Sequence, residues 1–327
     1  MAPLESGRGA AVPGLVVLAV LALAFPFAMR ALDAGFYISV ASRILIYGIA
    51  ATSLNLILGY GGLVSFGHAA FFGIGAYAVG ILITEGVSNG WIGFAVAMGV
   101  AALAAALIGA VSLRTRGVYF IMITLAFAQM LFYLVNSVKA YGGDEGLNIR
   151  QRSDFGFGLN LKDDLTFYFV VLACLAATLL LVHRLMASRF GRVVLAMRDD
   201  DERAEAIGFA TFRFKLILFM IGGALGGLAG ALMVNQQNYV NPNVLNWAQS
   251  GTLMVMVILG GVGTLWGGVL GAAALLILEE VLSAYTVHWQ FPVGWVLLAI
   301  VLFAPHGLVG LLRRRRPAAA RDDTDAR

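Results

Sequence analysis

Leu165-Thr166-Phe167-Tyr168-Phe169-Val170-Val171-Leu172-Ala173-Cys174-Leu175-Ala176-Ala177-Thr178-Leu179-Leu180-Leu181-Val182-His183-Arg184-Leu185-Met186 is the stretch that decides the fold. It holds no acidic group, and its one strong cation, Arg184, sits near its end. A helix needs about 20 mainly apolar residues to cross the hydrocarbon core of a bilayer. Comparable segments cover 11–29, 36–58, 62–83, 91–113 and 117–138 before it, and 212–234, 247–261, 265–285 and 293–312 after it. Segments 62–83 and 247–261 abut glycine-rich sequence and read as broken or re-entrant, which lipid tolerates only where protein or water covers the backbone. Segment 11–29 has only Arg8 ahead of it and no small-x-small cleavage site before Arg30, so it reads as a retained helix rather than a signal peptide. The expected fold is an all-α polytopic transmembrane helical bundle of about 8–10 membrane segments. It forms one domain over 1–312, with a basic, disordered tail over 313–327.

Composition agrees with this. Of 327 residues, 60% are apolar and 12% charged, and the mean hydropathy is +0.87. A soluble domain carries about 25% charged residues, so this surface faces something other than water. The 40 glycines suit close helix packing in lipid. A net charge of +4 arises from cationic clusters beside apolar segments, the pattern of the positive-inside rule rather than of nucleic-acid binding. With ten spans and a cytoplasmic N-terminus, 16 of the 22 Lys and Arg residues fall on the cytoplasmic side. Loop 187–211 and both termini are then cytoplasmic, and loop 139–164 is external. A single cysteine, Cys174, excludes an internal disulfide and a cysteine-cluster metal site.

Polar groups at membrane depth are costly and turn inward or toward a cavity. The stretch 55–77 places Asn55, Ser65 and His68 among apolar residues that include Phe66 and Phe71. For His68 a hydrogen-bonded packing residue stands against a ligand or proton relay, and Asn55, Ser65, Phe66, His68 and Phe71 are the candidates for a substrate path. Arg43 lies near an expected outer end and reads as a snorkelling side chain. Glu279 and Glu280 are adjacent, so they point about 100° apart on a helix and cannot face each other as an acid pair. Metal-ligand spacing, a nucleophile–base arrangement and a phosphate-binding glycine loop are all missing from the sequence. Any ATP is therefore hydrolysed by a partner, and no cofactor is expected on this chain. Gly222, Gly226 and Gly230 are spaced by four, as are Gly263, Gly267 and Gly271. Each set gives a helix face without side chains, along which backbones approach closely. Ile57-Leu58-Gly59-Tyr60-Gly61-Gly62 with Phe66-Gly67 is echoed by Ile258-Leu259-Gly260-Gly261 with Trp266-Gly267, which raises the question of duplicated halves.

The charged loop runs Ser188-Arg189-Phe190-Gly191-Arg192-Val193-Val194-Leu195-Ala196-Met197-Arg198-Asp199-Asp200-Asp201-Glu202-Arg203-Ala204-Glu205-Ala206-Ile207-Gly208. Phe190, Val193, Val194 and Met197 fall on one helical face. Arg198 with Glu202, and Asp199 with Arg203, have the spacing to pair along a helix, and Gly208 offers a stop. The pattern fits an interfacial helix between spans and a docking helix for a partner equally.

These residues resemble the branched-chain amino-acid ABC permease family, and within it the LivM-type subunit. The resemblance runs through the Asn55 to Tyr77 stretch, then Arg116-Gly117-Val118-Tyr119-Phe120 with Thr124-Leu125-Ala126-Phe127, and Gly142-Gly143-Asp144-Glu145-Gly146-Leu147. It continues through the charged loop, Leu259-Gly260-Gly261-Val262-Gly263-Thr264-Leu265-Trp266-Gly267 and Leu302-Phe303-Ala304-Pro305-His306-Gly307-Leu308, in that order. It implies an alternating-access importer for leucine, isoleucine and valine. It also implies a second, LivH-type permease as heterodimer partner, two cytoplasmic ATPases of LivG/LivF type carrying ATP and Mg, and an extracytoplasmic binding protein. The resemblance further implies that the bilayer is the cytoplasmic (inner) membrane of a bacterium. On the same resemblance the coupling segment holds Arg189, Phe190, Arg192, Arg198, Asp199, Asp200, Glu202, Ala204, Glu205 and Gly208. Glu202, Ala204 and Gly208 keep the spacing of the EAA motif of ABC importers, with Arg203 in place of an alanine. Urea, short amides or aromatic acids are alternative substrates within the family. A stand-alone secondary transporter or channel and a membrane enzyme are the readings from other classes.

Overall fold

The computed structural model describes residues 22–30, 35–149, 151–156, 161, 163–286, 288, 290–303 and 307–314. Helix α1 covers 22–30; the rest of expected span 11–29 lies outside the described residues. The chain continues with α2 (Gly35–Asn55), α3 (His68–Thr84), α4 (Gly90–Ser112), α5 (Val118–Ser137) and α6 (Asp164–Ala187). Two short helices follow, α7 (Arg189–Asp199) and α8 (Asp201–Ala206), then α9 (Thr211–Gln237), α10 (Trp247–Gly260), α11 (Gly267–Tyr285), α12 (Gln290–Phe303) and α13 (Gly307–Arg314). Strands β1 (Leu147–Asn148) and β2 (Tyr239–Val240) pair antiparallel at the end of the bundle away from α7 and α8.

Among the described residues, six helices are long and apolar enough to cross a membrane: Gly35–Tyr60, Gly90–Ser112, Val118–Ser137, Asp164–Ala187, Thr211–Gln237 and Gly267–Tyr285. The two segments read as broken are shorter than full spans. α3 has 17 residues and α10 has 14, or about 25 and 21 Å at the helical rise. Between α2 and α3 the chain first loosens into a π-helix, Leu56–Tyr60, then leaves helix altogether before His68. Within expected span 293–312 the structure describes two helices, α12 and α13, and 304–306 lie outside the described residues. α13 carries helix through Arg313 and Arg314, into the segment read as a tail; 315–327 lie outside the described residues.

Polar caps set several helix starts. The Asn89 carboxamide accepts from the Trp91 and Ile92 amides at 3.0 and 3.4 Å. Asn246 accepts from Ala248 N at 3.0 Å, and Ser188 from Gly191 N at 3.4 Å. In each case a side-chain oxygen takes an amide that the first helical turn leaves open.

The centre of the bundle is α9, the most buried of the six spans, wedged against α3 and α4. Its glycines explain how. A Cβ on Gly223 would sit 2.5 Å from the Ala105 Cβ, and one on Gly227 would sit 2.5 Å from the Ala101 Cβ. On nearly the same face, about 20° round from Gly223, a Cβ on Gly230 would collide with the Phe72 carbonyl of α3. In lipid no hydrophobic force drives helices together, so such bare faces gain their stability from dispersion at close approach. Gly222 meets Ile57, and Gly226 meets the His68 ring and the Phe71 Cβ. In the second set, Gly271 lies against the Met256 carbonyl of α10 and Gly267 against Thr264. Gly263 belongs to the turn before α11 rather than to a helix face.

Gly230→Leu would force α9 from α3. The expected cost is about 1–3 kcal/mol, the usual scale of overpacking. Denaturant-induced loss of helix in detergent measures it; an unchanged midpoint would place the Gly230 face against lipid.

Candidate functional site

The structure gathers most of its buried polar groups and turns at one end of the bundle. There α2, α4, α6 and α10 finish, and α3, α5, α9 and α11 start. The two echoing glycine-rich stretches have the same helix–turn–helix form and touch each other. Asn55, fully buried, bridges them: its Nδ2 donates to the Thr264 carbonyl at 2.7 Å, and its Oδ1 accepts from Gly263 N at 2.9 Å. Gly263 has φ +74°, a left-handed conformation that glycine adopts without penalty. A Cβ on Gly59 would lie 2.5 Å from Gly263 N, so the two backbones are in contact.

His68 opens α3 and is fully buried. Ser53 Oγ donates to the Ala50 carbonyl at 2.7 Å, which leaves the hydroxyl oxygen to accept from His68 Nε2 at 2.7 Å. His68 Nδ1 then has no partner, consistent with a neutral ring whose proton is on Nε2. The imidazole lies edge-to-face on Phe71 at 5.8 Å, and Phe71 edge-to-face on Phe219 at 5.4 Å. Ser65 is buried and its hydroxyl accepts from Gly67 N at 3.2 Å. Phe66 alone of the five path candidates is half-buried. The structure therefore brings Asn55, His68 and Phe71 into the interior of the subunit. Ser53 and Ser250 are partners that the sequence did not single out; Ser250 Oγ accepts from Ala69 N at 2.9 Å, capping α3 from α10.

Arg43 is exposed on α2, and its guanidinium lies 5.8 Å from the centre of the Tyr47 ring one turn further along. Gln249 donates to the Tyr47 hydroxyl at 3.0 Å.

The charged loop folds against the same end. α7 seats Val194 and Met197 in an apolar cluster with Leu56, Val182, Met186 and Leu218, as the i, i+3, i+4 spacing of the stripe requires. Phe190 reaches Phe214 at 5.5 Å between centroids. Gly191 lies against the Met186 backbone, and Ala204 is buried under α8. Arg189, Arg192, Arg198, Asp199, Glu202, Arg203, Glu205 and Gly208 are exposed. The i, i+4 pairs expected from the sequence do not form, because the helix breaks at Asp200, which is extended at φ −158°. Its carboxylate caps α8 by accepting from Arg203 N at 2.9 Å and pairs with the Arg203 guanidinium at 3.3 Å. Glu202 instead meets Arg116 of the α4–α5 turn at 3.2 Å. Arg198 donates to the Gly59 carbonyl at 2.7 Å. Asp201 takes Lys215 of α9 at 2.6 Å and Arg116 at 3.4 Å. Exposed pairs such as Arg116–Glu202 contribute little; the Asp201–Lys215 pair is mostly buried and is screened less. Past α8, the Ile207 side chain is 69% exposed, and Gly208 turns the chain at φ +94°. The sequence showed the charges but not these partners, nor an isoleucine left bare at the tip. Among the described residues, no group of three His, Cys, Asp or Glu side chains is placed to hold a metal ion.

A family model described as the branched-chain amino acid transport system permease component matches residues 36–304. The chain belongs to this family. It is a permease component and a multi-pass membrane protein. It is 29% identical to the high-affinity branched-chain amino acid transport system permease protein LivM of Escherichia coli K12 over 322 residues, covering 91% of this chain and 75% of that one. It is 25% identical to the LivH permease of the same organism over 285 residues, covering 81% of this chain and 91% of LivH. A probable LivM of Methanocaldococcus jannaschii is 25% identical over 315 residues, covering 81% and 90%. No solved structure matches the chain. The permease match includes the Asn55 bridge, the broken helices and the α7–α8 segment, so the site lies inside the family's shared region.

Replacing Asn55 by Leu would leave the Gly263 amide and the Thr264 carbonyl unpaired in a dry interior. Each unmet buried group costs about 1–3 kcal/mol. The expected outcome is a lower thermal midpoint than for Asn55→Asp, whose carboxyl still accepts from Gly263 N. Equal midpoints would show that the two turns are held by packing alone.

Proposed function

We propose that this permease forms, with a second related LivH-type permease, the transmembrane path of an ATP-driven importer for leucine, isoleucine and valine. In this reading α7 and α8 face the cytoplasm of a bacterial inner membrane, as do both termini. Two ATPases dock there, and a binding protein delivers substrate at the β1–β2 end. One observation carries the proposal. A short amphipathic helix, α7, is locked to the bundle by its apolar side. It leads into a tip, α8 to Gly208, that presents charge and one bare isoleucine to the outside.

That tip has the composition of an interface centre with a polar rim. An exposed apolar anchor fills a pocket on the partner, and surrounding charges set register and partner choice. Arg189, Arg192, Asp199, Glu202 and Glu205 supply the rim, and Ile207 the anchor. The path itself runs along α5. Only Phe120, Thr124 and Ala128 of that helix are buried, leaving Tyr119, Met122, Met130 and Tyr133 for the second permease or lipid. Phe66 reaches this side as a wall residue; Asn55, Ser65, His68 and Phe71 shape the wall from behind. An apolar path of this kind discriminates weakly, so the binding protein sets most of the specificity, and ATP with Mg is bound and spent on the partner subunits.

Coexpression of the whole assembly tests this. Ile207→Asp places a charge where the anchor enters the partner and should lower ATPase copurification about tenfold or more, the scale of a lost interface anchor. The permease pair should remain intact. Undiminished copurification would mean that α8 is only an interfacial helix.

A further inference from the structure

We propose that Arg198 is the positioning residue through which movement of α7 reaches both membrane turns. The proposal rests on the reading of α7–α8 as the docking segment and assigns Arg198, an exposed residue whose guanidinium turns back onto the Gly59 carbonyl, a contact within the subunit rather than with the ATPase.

The geometry is specific. Where α2 loosens into its π-helix, Gly62 N bonds back to the Leu58 carbonyl and Leu63 N to the Ile57 carbonyl, each at 3.1 Å. The chain then leaves the helix, so the Gly59 carbonyl has no following helical amide to accept. Arg198, on the last turn of α7, fills that acceptor at 2.7 Å through Nη1. The same nitrogen lies 3.3 Å from where a Cβ on Gly263 would stand, and the Arg198 Cγ lies 3.1 Å from that of Gly62. One side chain thus touches the turn after α2 and the turn before α11 at once. From the membrane side Asn55 ties the same two turns through Gly263 N and the Thr264 carbonyl. Arg198 and Asn55 hold the paired turns from opposite faces.

The apolar seat of α7 cannot do this alone. Val194 and Met197 make non-directional contacts that slide under load. A charge-assisted hydrogen bond to a fixed carbonyl has direction and register. The element it grips is the soft one, because a π-turn inside a helix is a frequent site of functional rearrangement. Arg198 also lines a cavity of about 240 Å³ with Arg116, Asp201, Lys215, Gly61 and Gly62. That leaves the guanidinium room to swing as α7 moves.

The test uses the complete assembly in proteoliposomes: both permeases, the ATPases and the binding protein. A Val64→Cys reporter in the first turn is introduced with Cys174 replaced by Ala. With Arg198 intact, ATP should change the rate at which Val64→Cys reacts with a thiol reagent. In Arg198→Met the ATPases should copurify as before and ATP hydrolysis should persist. Leucine uptake per ATP should fall about tenfold, the scale of one lost charged hydrogen bond, and ATP should no longer alter the labelling rate. Arg198→Lys keeps the charge and one donor, so it should restore part of both readouts; it also serves if the Met variant fails to assemble. Unchanged uptake per ATP and unchanged ATP-dependent labelling in Arg198→Met would overturn the proposal. So would loss of ATPase copurification, which would make Arg198 a docking contact. Failure of the unmodified assembly to bind ATPases would instead sink the docking reading itself.

Discussion

The bundle depends on a buried carboxamide. Asn55 satisfies one amide and one carbonyl of a turn more than 200 residues further along the chain. Lipid offers no hydrogen bond to replace either. Both glycine-rich turns abandon helix at the same end of the bundle. That backbone is tolerable only because each turn covers the other and Asn55 closes the remaining gap. The short helices α3 and α10 follow from this arrangement: they begin or end at these turns.

Around that joint the protein uses two kinds of contact. The α9 glycines give smooth backbone-to-backbone packing against α3 and α4, which fixes the core. At the α7–α8 end, directional polar contacts take over, with Asp201, Lys215, Arg116 and Arg198 each joining separate elements. A rigid core beside a directional, partly solvated joint is a sensible division for a permease. One part must keep its shape while the other passes on a small displacement.

Much of this was legible in the sequence. Apolar length gave the long spans, because about 20 residues is a property of the bilayer and not of the fold. Glycine spacing marked α9 as a packing helix, and the Phe190, Val193, Val194, Met197 stripe gave the buried side of α7. The sequence also marked 62–83 and 247–261 as unusual. It could not show that Asn55 serves Gly263, since nothing local in either stretch names the other. Arg198–Glu202 pairing failed for a comparable reason: an aspartate at 200 caps the next helix more favourably than it continues the last one. The sequence singled out Arg43 but not the Tyr47 ring beside its guanidinium.

The central claim is that this permease moves branched-chain amino acids only when cytoplasmic ATPases drive the α7–α8 end. The direct measurement is uptake of labelled leucine into proteoliposomes holding both permeases, with binding protein outside, with and without the ATPases and ATP inside. The account predicts uptake against a gradient only when ATPases and ATP are both present, and none with a non-hydrolysable analogue. Concentrative uptake by the permeases alone, driven by a proton or sodium gradient, would contradict it.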